Sequence, residues 1–159
     1  MKFFEDTVVG ERHELGRHTF TAEAIKAFAR RFDPQPFHLD EQAAVRSHFG
    51  ALCASGWHTA AVCMRLLVDY HRRMDAALLA RGEPVAALGP SPGFRAMKWI
   101  RPVYAGDTVS YAYEVVGLRP SASRPGWGLM TIGNAGTNQK GEPVISFVSV
   151  VFVERRGAA

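Results

Sequence analysis

The chain has 159 residues, of which 47% are hydrophobic, 21% charged and 11% aromatic. This length fits one domain over residues 1–159, able to bury a sizeable core but too short for separate cofactor and substrate domains, and the composition excludes disordered, collagenous and coiled-coil classes. The net charge of +4 arises from basic residues interspersed with acidic ones from Lys2 to Arg156; with no recognised motif or aromatic-basic platform, the expectation is no nucleic acid, and a small polyanionic ligand explains the charge equally well.

Loose alternation of His13, Leu15, His18 and Phe20 predicts a first strand over residues 11–20. Thr21 offers an N-cap, and Ile25, Phe28, Ala29 and Phe32 recur at helical spacing, so a short amphipathic helix follows. Asp33-Pro34-Gln35-Pro36 ends it, because a residue before proline is pushed out of the helical region and proline cannot donate. Asp40 caps a second short helix that stops near Phe49 and Gly50, with His38 just before the cap.

A long helix is predicted over residues 55–81, closed by Gly82 and Pro84. Trp57, Ala60, Ala61, Met64, Leu67, Val68 and His71 form its expected buried face. Cys53 and Cys63 read as small apolar fillers, and His58 and His71 as core or surface histidines, since no metal ligand set has the right spacing. With no signal-like leader and no uncharged apolar run of about eighteen residues, the expectation is a cytoplasmic protein that is not integral to a membrane.

After a Gly- and Pro-rich connection over residues 89–93, β-branched and aromatic alternation predicts strands over residues 94–101, 108–118, 128–137 and 144–154. Their short connections imply antiparallel neighbours. One long apolar helix beside an antiparallel sheet is an α+β domain. The last strand, apolar on both faces toward its end, implies cover on both sides, from the helix on one and another subunit on the other.

Two segments carry candidate chemistry. In Phe32-Asp33-Pro34-Gln35-Pro36-Phe37-His38, two prolines limit the turn's freedom and hold an acid and an imidazole in a reproducible relation, as acid–base work requires. The alternative is that Asp33 caps a turn and His38 packs locally. In Ala54-Ser55-Gly56-Trp57, a small-residue loop leads into the long helix, whose unpaired N–H groups and positive dipole end suit an anion or developing oxyanion. Ser55 can equally be only an N-cap, with Gly56 relieving packing.

The stretch from Phe32 to His38 resembles the Asp-x-Asn-Pro-x-His signature of MaoC-like dehydratases and R-specific enoyl-CoA hydratases, with Asp33, Pro36 and His38 matching and Gln35 in place of asparagine. Residues 54–60 resemble the start of the central helix in these enzymes, although many carry histidine where Ser55 stands and some a helix serine where Met64 stands. Ser91-Pro92-Gly93 and residues 99–107 resemble their strand-and-turn segment. The resemblance implies a hotdog fold, an antiparallel sheet wrapped around a long central helix. It also implies a homodimer or higher homo-oligomer, an acyl-CoA substrate as the only source of coenzyme A, no separate cofactor, and no metal.

Within it, Asp33 and His38 form the acid–base pair, Gly56 supplies the backbone donor to the thioester oxygen, and Gln35, Pro36 and Ser55 support the turn and the helix start. Trp57, Arg95, Lys98 and Arg101 are substrate-binding candidates, the basic ones for coenzyme A phosphates together with Arg119 and Arg124. Trp57, Met64, Met97 and Trp99 are expected to set pocket depth. The implied activity is reversible hydration of a 2-enoyl thioester. A hotdog thioesterase and a non-catalytic acyl-thioester binder are the alternatives.

Overall fold

The computed structural model describes residues 1–157, so the last two positions of the expected domain lie outside the described residues. After a short 3₁₀ turn (Phe4–Asp6) come β1 (Arg12–Thr19), α1 (Ala22–Phe32), the short helices α2 (Pro36–Leu39) and α3 (Glu41–Val45), and the long α4 (Gly56–Ala80). Strands β2 (Gly93–Trp99), β3 (Thr108–Pro120), β4 (Trp127–Thr137) and β5 (Pro143–Glu154) follow. All five strands form one antiparallel sheet in the order β1-β3-β4-β5-β2, an α+β architecture.

Local signals explain most of these boundaries. Thr21 Oγ1 accepts the Ala24 N–H at 3.2 Å and Asp40 Oδ1 accepts the Ala43 N–H at 2.7 Å, capping α1 and α3. The loose alternation in β1 has a structural cause. A bulge between Glu14 and Gly16 changes the parity of the strand, so that Leu15 and then His18 turn toward the core. Gly16, at φ +126°, adopts a conformation that side-chain-bearing residues rarely take.

One connection departs from expectation. Although only eight residues separate β2 from β3, the two strands are not neighbours: β2 pairs with β5 at one edge, and β3 pairs with β1 and β4. Residues 100–107 instead cross beneath the start of α4. There Ala54 N–H donates to Val103 O at 2.7 Å and Ala105 N–H to Leu52 O at 3.0 Å. The backbone groups that a hairpin would satisfy are thus paired with the segment leading into the long helix.

The face of α4 that meets the sheet also differs. His58, Thr59, Cys63 and Leu78 are buried, with Val62, Leu66 and Tyr70 packed beside them, whereas Trp57, Ala61, Met64 and Val68 are exposed. Apolar residues occupy most of the helix circumference, so periodicity does not select a face; contacts with the sheet do. Tyr111 Oη–H donates to Thr59 O at 3.0 Å, and His13 Nδ1 lies 2.8 Å from Tyr70 Oη. The core between helix and sheet collects Leu15, Phe20, Ile25, Tyr111, Tyr113, Val115, Met130, Ile132, Ile145 and Phe147.

His58 packs among phenylalanine rings and His71 beside Tyr70 and Tyr113. The His58 ring stacks on Phe28 at 4.5 Å and 4°, with its edge toward Phe20, and burial, reinforced by His18, pushes its pKa down to about 4. Burial pushes His71 down to about 4 as well, with the amino terminus and His13 adding to the effect. Burial raises the Cys53 and Cys63 thiols to about 11 and about 12, in keeping with their reading as fillers.

A histidine whose folded pKa is depressed leaves the unfolded chain holding more protons between the two values. Stability is therefore intact above about pH 6.5 and is lost as pH falls toward 4, by up to about 1.4 kcal/mol per pH unit for each histidine. Thermal melts across this range should show Tm falling with acidification, and His58→Leu should flatten the slope; an unchanged slope contradicts this origin.

Candidate active site

The site forms where the turn after α1 meets the start of α4. Asp33 is the C-cap of α1, its N–H bonded to Ala29 O, and its carbonyl accepts the Gln35 N–H at 2.8 Å. Pro36 occupies the first turn of α2, where a missing N–H costs nothing, and the His38 N–H closes that turn onto Gln35 O at 2.9 Å. His38, 6% exposed, is thereby directed inward, with its ring against the edge of Phe37 and facing Phe49.

Hydrogen bonds then define the pair. His38 Nδ1 lies 2.7 Å from Cys53 O. A carbonyl only accepts, so Nδ1 carries a proton, and in the neutral ring Nε2 then presents a lone pair. Nε2 is 3.5 Å from Asp33 Oδ2. The same carboxylate oxygen accepts the Ser55 Oγ–H at 2.7 Å, and Ser55 Oγ in turn accepts the Trp57 N–H at 3.2 Å as the N-cap of α4. With the ring neutral and the carboxylate ionised, Nε2 and Oδ2 are two proton acceptors facing each other across one small space.

A cleft of about 350 Å³ opens on this pair. Asp33, His38, Ser55, Gly56 and Trp57 line it, together with Phe49, Thr59, Trp99, Ile100 and Arg101. Gly56 is the first residue of α4, and its N–H has no hydrogen-bond partner among the described residues. The reason for glycine here is packing: a Cβ at this position would lie 2.5 Å from Trp99 Nε1 and 2.7 Å from Cδ1 and Cε2. The indole of Trp99 lies against the helix start and meets Trp57 edge-on, with ring centroids 5.2 Å apart.

The sequence candidates separate into two groups. Asp33, His38, Ser55, Gly56, Trp57 and Arg101 share the cleft. Pro36 and Gln35 act from behind it, through ring geometry and backbone bonds respectively; the Gln35 side chain is exposed and makes no capping hydrogen bond. Arg95 and Lys98 are exposed on β2 and do not line the cleft; a bulge between them, with Ala96 at φ 54°, interrupts the pairing with β5. Arg101 is held by Pro143 O at 3.0 Å and by Glu142 at 3.7 Å. Of the residues expected to set depth, Trp57 and Trp99 line the cleft, Met97 packs on the core and Met64 is exposed.

Sequence reasoning did not find the Cys53 carbonyl, a main-chain group with no residue signature, or Phe49 and Thr59 on the cleft wall.

Residues 6–126 match the family described as MaoC like domain, and the chain belongs to that family. The sheet wrapped on one long helix is the hotdog fold. The crystal structure of a MaoC-like dehydratase from Rhodospirillum rubrum is 40% identical, with 98% of this chain and 99% of that one covered and a TM-score of 0.81. YdeM of Bacillus subtilis, itself uncharacterised, is 28% identical over 155 residues, covering 98% of this chain and 100% of YdeM. A mesaconyl-CoA hydratase from Cereibacter sphaeroides is 36% identical over 75 residues, which are 47% of this chain and 20% of that enzyme.

Gly56→Ala should force Trp99 from its seat, since the added Cβ would overlap the indole. Thermal denaturation and Trp fluorescence check this: a lowered Tm with an altered emission spectrum is expected, and an unchanged spectrum contradicts the close packing.

Proposed function

We propose that the chain catalyses the reversible hydration of a 2-enoyl thioester carried by coenzyme A. The observation that carries this reading is the Asp33–His38 pair, with Oδ2 and Nε2 3.5 Å apart in one cleft with the unpaired Gly56 N–H. A water molecule at the pair can donate one hydrogen to each acceptor, which aims its oxygen lone pair away from them and toward a bound acyl chain. As water oxygen bonds to the β-carbon, the pair takes its proton, and the electrons of the C=C bond move toward the thioester oxygen. The Gly56 N–H at the helix start stabilises that developing charge. Return of a proton to the α-carbon completes the addition, and dehydration of a 3-hydroxyacyl thioester is the reverse.

Membership of the MaoC-like family and the partial similarity to a mesaconyl-CoA hydratase support this reaction class. The chemistry requires proton transfer and one backbone donor, so coenzyme A enters as part of the substrate and no separate cofactor is invoked. Arg101, on the cleft wall, is assigned in this reading to a charged part of the substrate, which it would meet by exchanging its contact with Glu142.

The assembly proposed is a homodimer. Trp57, Met64 and Val68 of α4 are exposed, as are Phe94 and Trp99 of β2 and the adjoining Ile100, more large apolar surface than isolated exposed residues account for. No helix among the described residues is long and apolar enough to cross a membrane. The cytoplasm, where acyl-CoA is available and thiols such as Cys53 stay reduced, is the proposed compartment. Light scattering should give twice the 17.5 kDa chain mass; a monomer at micromolar concentration contradicts the dimer.

Purified protein incubated with crotonyl-CoA and longer enoyl-CoA esters should remove the enoyl absorbance without releasing free thiol. Asp33→Asn and His38→Ala should each lower kcat by about 10²–10⁴-fold, the range of lost acid–base catalysis, while Tm changes little. Thiol release instead identifies a thioesterase, and wild-type rates in both variants refute the assigned pair.

A further inference from the structure

Ser55 is a buried polar side chain of the hydration site that the reaction as written does not use. Ser55 is 1% exposed and stands between the first turn of α4 and the Asp33 carboxylate. An N-cap serine needs only an oxygen lone pair, and here that lone pair meets the Trp57 N–H at 3.2 Å. The hydroxyl also has a single proton to place, and it is placed on Asp33 Oδ2 at 2.7 Å. Capping leaves the direction of that proton free, so its use on the carboxylate is a second function.

We propose that Ser55 is a positioning residue that fixes the Asp33 carboxylate opposite His38, a role that rests on the hydratase reading of the pair. Asp33 follows the last turn of α1, and Ser55 is the hydrogen-bond donor its carboxylate has among the described residues, with His38 Nε2 facing the same oxygen at 3.5 Å. Without Ser55 the side chain is free to rotate about its own bonds. With it, Oδ2 is tied to the start of α4, the same backbone that presents the Gly56 N–H, so acid–base group and oxyanion donor share one rigid reference. Arg101, the other charged group on the cleft, does not compete for the carboxylate, because it is engaged by Pro143 O and Glu142.

The test compares Ser55→Gly, Ser55→Asp and Ser55→Thr in the full chain. Glycine is an acceptable N-cap without a hydroxyl, aspartate caps but has no proton to donate, and threonine retains both functions. With crotonyl-CoA, Ser55→Gly and Ser55→Asp should lower kcat about 10- to 100-fold, the usual worth of a hydrogen bond to a charged group, with KM changed less than about twofold. Ser55→Thr should recover most of the rate. Wild-type kcat in the glycine variant overturns the proposal, as do equal losses in the aspartate and threonine variants; if the glycine variant does not fold, the aspartate and threonine pair decides.

Should the wild type hydrate no enoyl-CoA, the hydratase reading falls, and the crystal structure of Ser55→Gly decides the positioning role separately. A gap between Asp33 Oδ2 and His38 Nε2 wider than the present 3.5 Å supports it, and an unchanged gap overturns it.

Discussion

The hydrogen bond from His38 Nδ1 to the Cys53 carbonyl joins two parts of the chain distant in sequence: the proline turn after α1 and the segment entering α4. Its consequences are both structural and chemical. It anchors α2 onto the segment leading into the long helix, and it commits the Nδ1 proton so that Nε2 of the neutral ring is left as an acceptor. The Cys53 carbonyl can serve as an anchor because its neighbours are already fixed, with Leu52 and Ala54 paired to Ala105 and Val103. The short crossing from β2 to β3 therefore braces the site as well as connecting two strands that are not adjacent.

From that anchor the cleft is built with few parts. The first turn of α4 supplies the Gly56 N–H through its backbone and, through the Ser55 hydroxyl, a tether for Asp33. Trp99 closes over Gly56 because glycine leaves room for an indole there. The aromatic pair Trp57–Trp99 forms a wall continuous with the exposed apolar surface of α4 and β2, so cleft and proposed dimer surface share residues.

Much of this was legible in the sequence where the determinant is local. The caps Thr21 and Asp40, the proline stop after Asp33, and the β-branched strands follow from side chains acting on their own backbone. The passage from His13 and Leu15 to His18 and Phe20 even records the bulge in β1, although it reads only as imperfect alternation. Asp33 and His38 stood out through their spacing and their resemblance to a known signature. What was not legible depends on tertiary contacts. An α4 apolar around most of its circumference does not reveal which stripe meets Tyr111, a main-chain acceptor such as Cys53 O leaves no mark, and the contact between Gly56 and Trp99 spans distant parts of the chain.

The central claim is that the Asp33–His38 pair and the Gly56 N–H act on one acyl thioester. It is tested most directly by a crystal structure of Asp33→Asn with crotonyl-CoA bound. The expected result is the thioester oxygen about 3 Å from Gly56 N, as a hydrogen bond requires, with the β-carbon facing residue 33 and His38 Nε2. An acyl chain bound outside this cleft, or a carbonyl carbon in the place of the β-carbon, would contradict it.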